Sequence, residues 1–177
     1  SEHTPHVSSV IMRMAREVFD PSVVTCFEGG VEISQQLLRL PFDHIFFTGS
    51  PAVGKEVMKA AAENLSSVTL ELGGKCPSII TEDANLKEAA LRTAVSKFVN
   101  NGQTCIAPDY VLIDEKIADQ FIKELIEQIR NRFDPLAQNI EQSSDYCRIV
   151  NDRHFSRLET LLTEAISQGA KVRFGGT

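Results

Sequence analysis

One cysteine lies among small and polar residues, in a setting where a thiol could act as a nucleophile. Cys105 belongs to the segment Asn100–Pro108, which reads Asn-Asn-Gly-Gln-Thr-Cys-Ile-Ala-Pro. This composition predicts an exposed loop, and an accessible thiolate is a nucleophile suited to covalent catalysis. An ordinary loop cysteine has the same surroundings, so both interpretations of Cys105 stay open at this point.

A carboxylate stands within an otherwise apolar run. Glu71 belongs to the segment Val68–Leu72, Val-Thr-Leu-Glu-Leu, and Gly73 and Gly74 follow it directly. Burying a carboxylate costs free energy unless it is paired, and a buried carboxylate is a stronger base, as general-base catalysis requires. The alternative is an outward-facing side chain, which is the weaker interpretation if both faces of the sheet are covered.

A glycine-rich turn resembles a phosphate-binding P-loop but lacks its metal-binding hydroxyl. Residues 49–55 read G-x-x-x-x-G-K between a predicted strand and a predicted helix. Glu56 occupies the position of the Ser or Thr that binds Mg²⁺, and Pro51 removes a backbone N–H, so the pattern argues against an ATPase. Two interpretations remain open: a helix N-terminus that binds a phosphate, or a plain turn with Ser50 as N-cap.

Composition and charge exclude several other classes of function. The 177 residues carry 18 Lys+Arg and 24 Asp+Glu, a net charge of −6, which argues against a nucleic-acid partner. No apolar run reaches the roughly 20 residues of a membrane span, and no signal peptide is visible. The cysteines, which include Cys26, Cys76 and Cys147, lack metal-site spacing, so we expect no metal and a reduced, cytoplasmic protein.

Strand and helix patterns alternate through the first part of the chain. Helices are predicted near 5–18, 31–39 and 51–64, and strands at 23–27, 44–48 and 68–72. This alternation predicts a parallel sheet covered on both faces, with ligands at the carboxyl ends of the strands. Those ends are Gly29-Gly30, Gly49-Ser50 and residues 71–74.

The pattern changes after Lys75, which places a domain boundary near 73–75. The later strands are predicted at 77–80, 110–113 and 171–174. Helices are predicted from Asp83 to about 100, over 115–132 after an Asp114 cap, and over 153–168 with Gly169 at C′. Polar loops are predicted at 101–109 and 134–148.

Three motifs along the chain resemble those of the NAD(P)-dependent aldehyde dehydrogenase superfamily. Phe47–Gly54 resembles its cofactor turn, Glu71–Lys75 its glutamate motif, and Phe98–Ala107 its cysteine motif. Their order and separations fit the family as well. Cys105–Tyr110 and Asp145–Ile149 are similar to the class 3 branch, whose members oxidise fatty, aromatic or coniferyl-type aldehydes.

The resemblance implies an α/β aldehyde dehydrogenase-like fold and an internal fragment of a longer enzyme. Residues 1–74 would be the C-terminal part of a Rossmann-type NAD(P)-binding domain with a parallel sheet. Residues 75–177 would be the truncated, N-terminal part of an α/β catalytic domain. The family's ribose-binding lysine, its oxyanion-hole asparagine and its Glu-x-Phe-Gly-Pro segment would lie outside this stretch. The parent enzyme would be a homo-oligomer, a dimer or a tetramer.

The resemblance also assigns roles to individual residues. Cys105 would attack the aldehyde, and its backbone N–H would help to stabilise the oxyanion. Glu71 would activate the water that hydrolyses the resulting thioester. The cofactor, NAD or NADP, would contact Gly49, Ser50, Gly54 and Leu72.

Two alternatives remain beside a hydrolytic aldehyde dehydrogenase. The same scaffold serves CoA-acylating aldehyde dehydrogenases and reductases of acyl phosphates, although Glu71 favours hydrolysis over transfer to CoA. The chain could instead be a non-catalytic nucleotide-binding module. The motifs leave open which aldehyde is used, the choice between NAD and NADP, and the oligomeric state.

Overall fold

The computed structural model describes residues 2–134 and 140–176 and divides the chain into two units, Ser1–Leu72 and Gly73–Thr177. Each unit contains one pair of parallel strands with helices between and around them. The predicted α/β class with parallel strands is therefore confirmed.

In the first unit, a helix connects two parallel strands. Its elements in chain order are α1 (Pro5–Val18), α2 (Val31–Leu37), β1 (His44–Gly49), α3 (Pro51–Glu63) and β2 (Ser67–Leu72). Helix α3 buries Gly54, Val57 and Ala61, which lie three and four residues apart and so share one face of the helix. That face packs on the strand pair, and the register places Gly49 opposite Leu72.

The predicted strand at 23–27 is wrong. The N–H groups of Val23 and Val24 both donate to the carbonyl of Asp20, at 2.9 and 3.0 Å. The hydroxyl of Thr25 donates to the carbonyl of Pro21. Local turn bonds thus occupy the polar groups at the start of this run, and its β-branched residues have no strand partner in the described chain.

The expected cover on both faces of the first sheet is also wrong for this chain. Alternate residues of β1, Ile45 and Phe47, are half-buried, whereas Phe46 on the opposite face is 66% exposed. Because side chains alternate along a strand, one face of the pair packs on α3 and the other lies open.

The second unit contains the other parallel pair and the larger hydrophobic core. Its elements are β3 (Cys76–Ile80), α4 (Leu86–Phe98), the 3₁₀ turn Val99–Gly102, β4 (Pro108–Ile113), α5 (Glu115–Phe133), the 3₁₀ turn Ile140–Gln142 and α6 (Asp152–Ser167). Phe121, Ile129 and Phe133 are the buried residues of α5, as its amphipathic spacing predicts. Asp114 caps α5 by accepting a bond from the N–H of Lys116, as predicted.

Two details of the second unit correct the sequence expectations. Asn85, and not Asp83, caps α4 by accepting from the N–H of Glu88 at 3.2 Å. The Asp83 carboxylate instead accepts from the Thr81 hydroxyl at 2.7 Å, and this hydrogen bond lowers the pKa of Asp83. Helix α4 therefore begins at Leu86, two residues later than an Asp83 cap implies.

The predicted last strand at 171–174 does not form within the described residues. Gly169 ends α6 with a φ of 98°, at the C′ position predicted for it. Beyond it, Arg173 pairs with Asp119 at 3.0 Å, and the Phe174 ring lies 5.3 Å from the guanidinium of Arg130. Side-chain contacts, and not a strand ladder, hold this segment. Residues 135–139 of the predicted loop at 134–148 lie outside the described residues.

Two amphipathic helices present uncovered apolar faces. Neither α1 nor α6 buries a single residue. The exposed apolar side chains of these helices include Ile11, Met14, Val18, Phe155 and Leu161. Apolar stripes of this kind ordinarily face a protein core. Over residues 2–134 and 140–176, no helix has both the length and the apolar character that a membrane crossing requires.

Candidate active site

The Gly-Ser turn joins β1 to α3 and caps the helix. Ser50 has extended backbone angles, and its hydroxyl accepts a bond from the N–H of Val53 at 3.3 Å. Pro51 follows at the first helical position, where its missing N–H needs no partner. The capping interpretation of Ser50 is thus confirmed. Phosphate binding at the same helix N-terminus stays a prediction.

Both glycines of this turn have a steric reason to be glycine. A Cβ built on Gly49 would lie 2.5 Å from the tip of the Phe47 ring. A Cβ on Gly54 would lie 3.1 Å from Leu72 and 3.6 Å from Leu70. Gly54 therefore lets α3 approach β2 closely, a packing role that the motif alone did not reveal.

Glu71 and Leu72 end β2 at the carboxyl edge of the strand pair. The register places Glu71 opposite Thr48, and Leu72 opposite Gly49. Five predicted site residues, Gly49, Ser50, Gly54, Glu71 and Leu72, thus meet at one end of the first unit. The expected burial of Glu71 is wrong for this chain, because its side chain lies on the uncovered face and is exposed.

Cys105 lies in the second unit, in a tight turn between α4 and β4. Helix α4 ends at Phe98, earlier than predicted, and Asn100, Asn101 and Gly102 then adopt φ angles of 50°, 52° and 73°. The turn is closed by a bond from the N–H of Ala107 to the carbonyl of Thr104 at 3.1 Å. Within it the Cys105 side chain is exposed.

Exposure alone does not distinguish Cys105 from the other cysteines. All four are free thiols: Cys147 is also exposed, and Cys26 and Cys76 are half-buried. A functional role for Cys105 therefore has to be argued from the residues that surround it.

The segment that follows Glu71 in sequence contacts the cysteine turn. The thiol of Cys76 donates to the backbone carbonyl of Cys105 at 3.4 Å. A Cβ on Gly74 would lie 3.3 Å from the same carbonyl oxygen, so glycine permits this close approach. Lys75 pairs with Asp109, just beyond the turn. Residues 74–76 therefore hold the Cys105 turn in place within the second unit. These contacts join residues about thirty positions apart, so the spacing of motifs along the sequence could not predict them.

The described residues contain no cluster of three His, Cys, Asp or Glu side chains that could hold a metal ion. At the cysteine turn, the groups available for chemistry are the Cys105 thiol and the backbone amides. At the edge of the first unit it is that of a carboxylate and a helix N-terminus.

The sequence profile of the aldehyde dehydrogenase family matches residues 1–177. The chain belongs to the aldehyde dehydrogenase family. Three curated aldehyde dehydrogenases are similar to this chain. The 4,4'-diaponeurosporen-aldehyde dehydrogenase of Staphylococcus aureus is 49% identical over 176 residues, which cover 99% of this chain and 37% of that protein.

Two rat relatives support the class 3 resemblance. The rat protein named "Aldehyde dehydrogenase, dimeric NADP-preferring" is 42% identical over 177 residues, which cover 100% of this chain and 37% of that protein. The rat aldehyde dehydrogenase family 3 member A2 is 41% identical over 176 residues, 99% of this chain and 35% of its own length. The chain thus spans between 35% and 37% of the length of these aldehyde dehydrogenases.

A solved structure supports the fold. The substrate-bound state of the Staphylococcus aureus AldH superimposes with a TM-score of 0.84 at 48% sequence identity, covering 100% of this chain and 37% of that one. This likeness over the whole chain confirms the aldehyde dehydrogenase-like fold that the three motifs predict.

Proposed function

We propose that this chain is a segment of an enzyme that oxidises an aldehyde to a carboxylic acid with NAD or NADP. The observation that carries the proposal is the exposed Cys105 thiol in a tight turn, whose backbone carbonyl lies against Gly74 and the Cys76 thiol. Gly74 and Cys76 follow β2 in sequence, and that strand contains Glu71. The pairing of Cys105 as nucleophile with Glu71 as base rests on the family's cysteine and glutamate motifs.

Cys105 supplies the nucleophile. Its thiolate attacks the aldehyde carbon, and the carbonyl oxygen becomes the oxyanion of a thiohemiacetal. The Cys105 backbone N–H is a donor for that oxyanion, and preorganised donors of this kind contribute strongly to acyl chemistry. Loss of a hydride from the thiohemiacetal leaves a thioester on Cys105.

Glu71 supplies the base for the second half of the reaction. Its carboxylate is exposed and so can take a proton from water as the water attacks the thioester carbon. The carboxylic acid leaves, and the Cys105 thiolate is regenerated. The same carboxylate also helps to deprotonate the thiol at the start of the cycle.

The turn at β1–α3 has the features that a dinucleotide phosphate needs. Gly49 leaves no side chain at the end of β1, and Ser50 caps α3, whose N-terminus carries a positive partial charge. Gly54 lets the helix pack closely, and Leu72, opposite Gly49, offers its backbone. NAD or NADP held by these residues would supply the hydride acceptor.

The remaining assignments follow from the same family resemblance. Residues 1–74 form the C-terminal part of the NAD(P)-binding domain, and 75–177 form the N-terminal part of the catalytic domain. The two units divide two residues earlier, after Leu72. Fatty, aromatic or coniferyl-type aldehydes are the proposed substrates, and the enzyme is a cytoplasmic homo-oligomer of two or four subunits.

The product distinguishes this proposal from its alternatives. We expect the full-length enzyme, given an aliphatic or aromatic aldehyde and NAD or NADP, to release one carboxylic acid per NAD(P)H formed without CoA. Mass spectrometry of the products, with and without CoA, measures this. An acyl-CoA product would indicate a CoA-acylating enzyme, and nucleotide binding without turnover would indicate a non-catalytic module.

The isolated 177 residues are expected to aggregate and to show no aldehyde oxidation. The apolar faces of α1 and α6 and the open face of the first sheet lack a covering layer in this chain. Size-exclusion chromatography with light scattering checks the expected aggregation, and the absorbance of NAD(P)H formed with an aldehyde checks the expected loss of activity. A monomer that turns over at ordinary enzyme rates of about 10 per second would contradict the fragment interpretation.

A further inference from the structure

One side chain connects the cysteine turn to a distant segment of the second unit. The amide nitrogen of Gln103 donates to the carbonyl of Asn100 at 3.0 Å and to the carbonyl of Arg148 at 3.1 Å. Its amide oxygen accepts from the N–H of Val150 at 2.9 Å. A single glutamine, two residues before Cys105, thus makes three backbone bonds, two of them to residues more than forty positions away.

The segment that receives these bonds is itself anchored. The Arg148 guanidinium donates to the carbonyls of Glu141 and Tyr146. The Tyr146 ring packs against Phe133 at 5.5 Å and against Phe98 at 6.1 Å between ring centroids. Because Phe133 is buried, residues 146–150 offer Gln103 a support connected to the hydrophobic core.

The chain that carries Gln103 needs such a support. Asn100 and Asn101 are non-glycine residues in the left-handed region, and Gly102 follows them there. In non-glycine residues such conformations are strained, and they persist where surrounding contacts enforce them. Gln103 contacts Asn100 on one side of this reversal, while Cys76 holds the carbonyl of Cys105 on the other.

We propose that Gln103 is a positioning residue that fixes the turn so that the Cys105 thiol points toward the aldehyde. The inference rests on the proposed role of Cys105 as the nucleophile. Gln103 acts through the backbone: its amide sets the path of residues 100–104, and Cys76 fixes the peptide that follows Cys105.

Two substitutions and a control test this role in the full-length enzyme. Gln103→Ala removes all three bonds. Gln103→Glu keeps the size and the acceptor for Val150, but replaces the amide nitrogen by an oxygen that faces two carbonyls. Gln120→Ala removes an exposed glutamine of α5 and serves as the control.

Displaced reactive groups lose about 10- to 100-fold in rate. We expect a loss of that size in kcat for both Gln103 variants, with a smaller change in KM. The rate of iodoacetamide alkylation of the Cys105 peptide, followed by mass spectrometry, should fall in parallel. Gln103→Glu should regain activity relative to Gln103→Ala as the pH falls, since a protonated carboxyl can donate one of the lost bonds. Gln120→Ala should match the unaltered enzyme.

The outcomes separate this inference from the proposed function. If Cys105 is not the residue alkylated in the unaltered enzyme, the proposed nucleophile is wrong, and the positioning role falls with it. If Cys105 is alkylated and both folded Gln103 variants keep the parental kcat and alkylation rate, the positioning role alone is overturned. The positioning role is also overturned if Gln103→Glu keeps the parental kcat while Gln103→Ala loses activity only because its melting temperature has fallen.

Discussion

Replacement of Cys105 by alanine in the full-length enzyme should abolish aldehyde oxidation. The thiol forms the covalent bond on which both halves of the proposed reaction depend. Removing the nucleophile of a covalent hydrolase has cost about 10⁶-fold in kcat, so we expect activity to fall below detection. Steady-state formation of NAD(P)H measures the loss, and equilibrium binding of the cofactor should stay unchanged.

Cys147→Ala is the matched control, because Cys147 is the other exposed thiol of the chain. Its activity should equal that of the unaltered enzyme, as should that of Cys26→Ala. Alkylation at pH 7 should modify Cys105 first and remove activity in proportion. Near-parental turnover in Cys105→Ala would mean that the thioester mechanism is wrong.

The substitution Glu71→Gln should spare the formation of the acyl-enzyme and slow its hydrolysis. The amide cannot accept the proton of the attacking water, and general-base contributions amount to about 10²–10⁴-fold. Rapid mixing should therefore show a burst of NAD(P)H equal to the number of active sites, followed by a slow steady state.

Glu63→Gln is the control for this variant, since Glu63 is an exposed carboxylate at the end of α3 in the same unit. It should behave like the parent. Unchanged steady-state turnover in Glu71→Gln would reduce Glu71 to a structural residue at the edge of the strand pair.

Local signals predicted the helices well. Ser50 and Pro51 start α3, Asp114 starts α5, and Gly169 ends α6, because caps and stops depend on bonds within a few residues. The three motifs likewise identified the family, since each is a short run with a defined order along the chain.

Strands and site contacts were less predictable because they depend on distant partners. Residues 23–27 have the composition of a strand, yet turn bonds to Asp20 and Pro21 replace a ladder. The covered environment expected for Glu71 requires neighbours that this chain does not supply. The links from Cys76 to Cys105 and from Gln103 to Val150 join residues that no local pattern connects.

The most direct test of the central claim is to locate the trapped acyl group. The Glu71→Gln enzyme is mixed with an aldehyde and cofactor, quenched in acid during the slow phase and digested for mass spectrometry. We predict that the peptide containing Cys105 carries the mass of the acyl group, and that Cys26, Cys76 and Cys147 are unmodified. An acyl group on another cysteine, or no covalent adduct despite a burst of NAD(P)H, would contradict the assignment of Cys105 as the nucleophile.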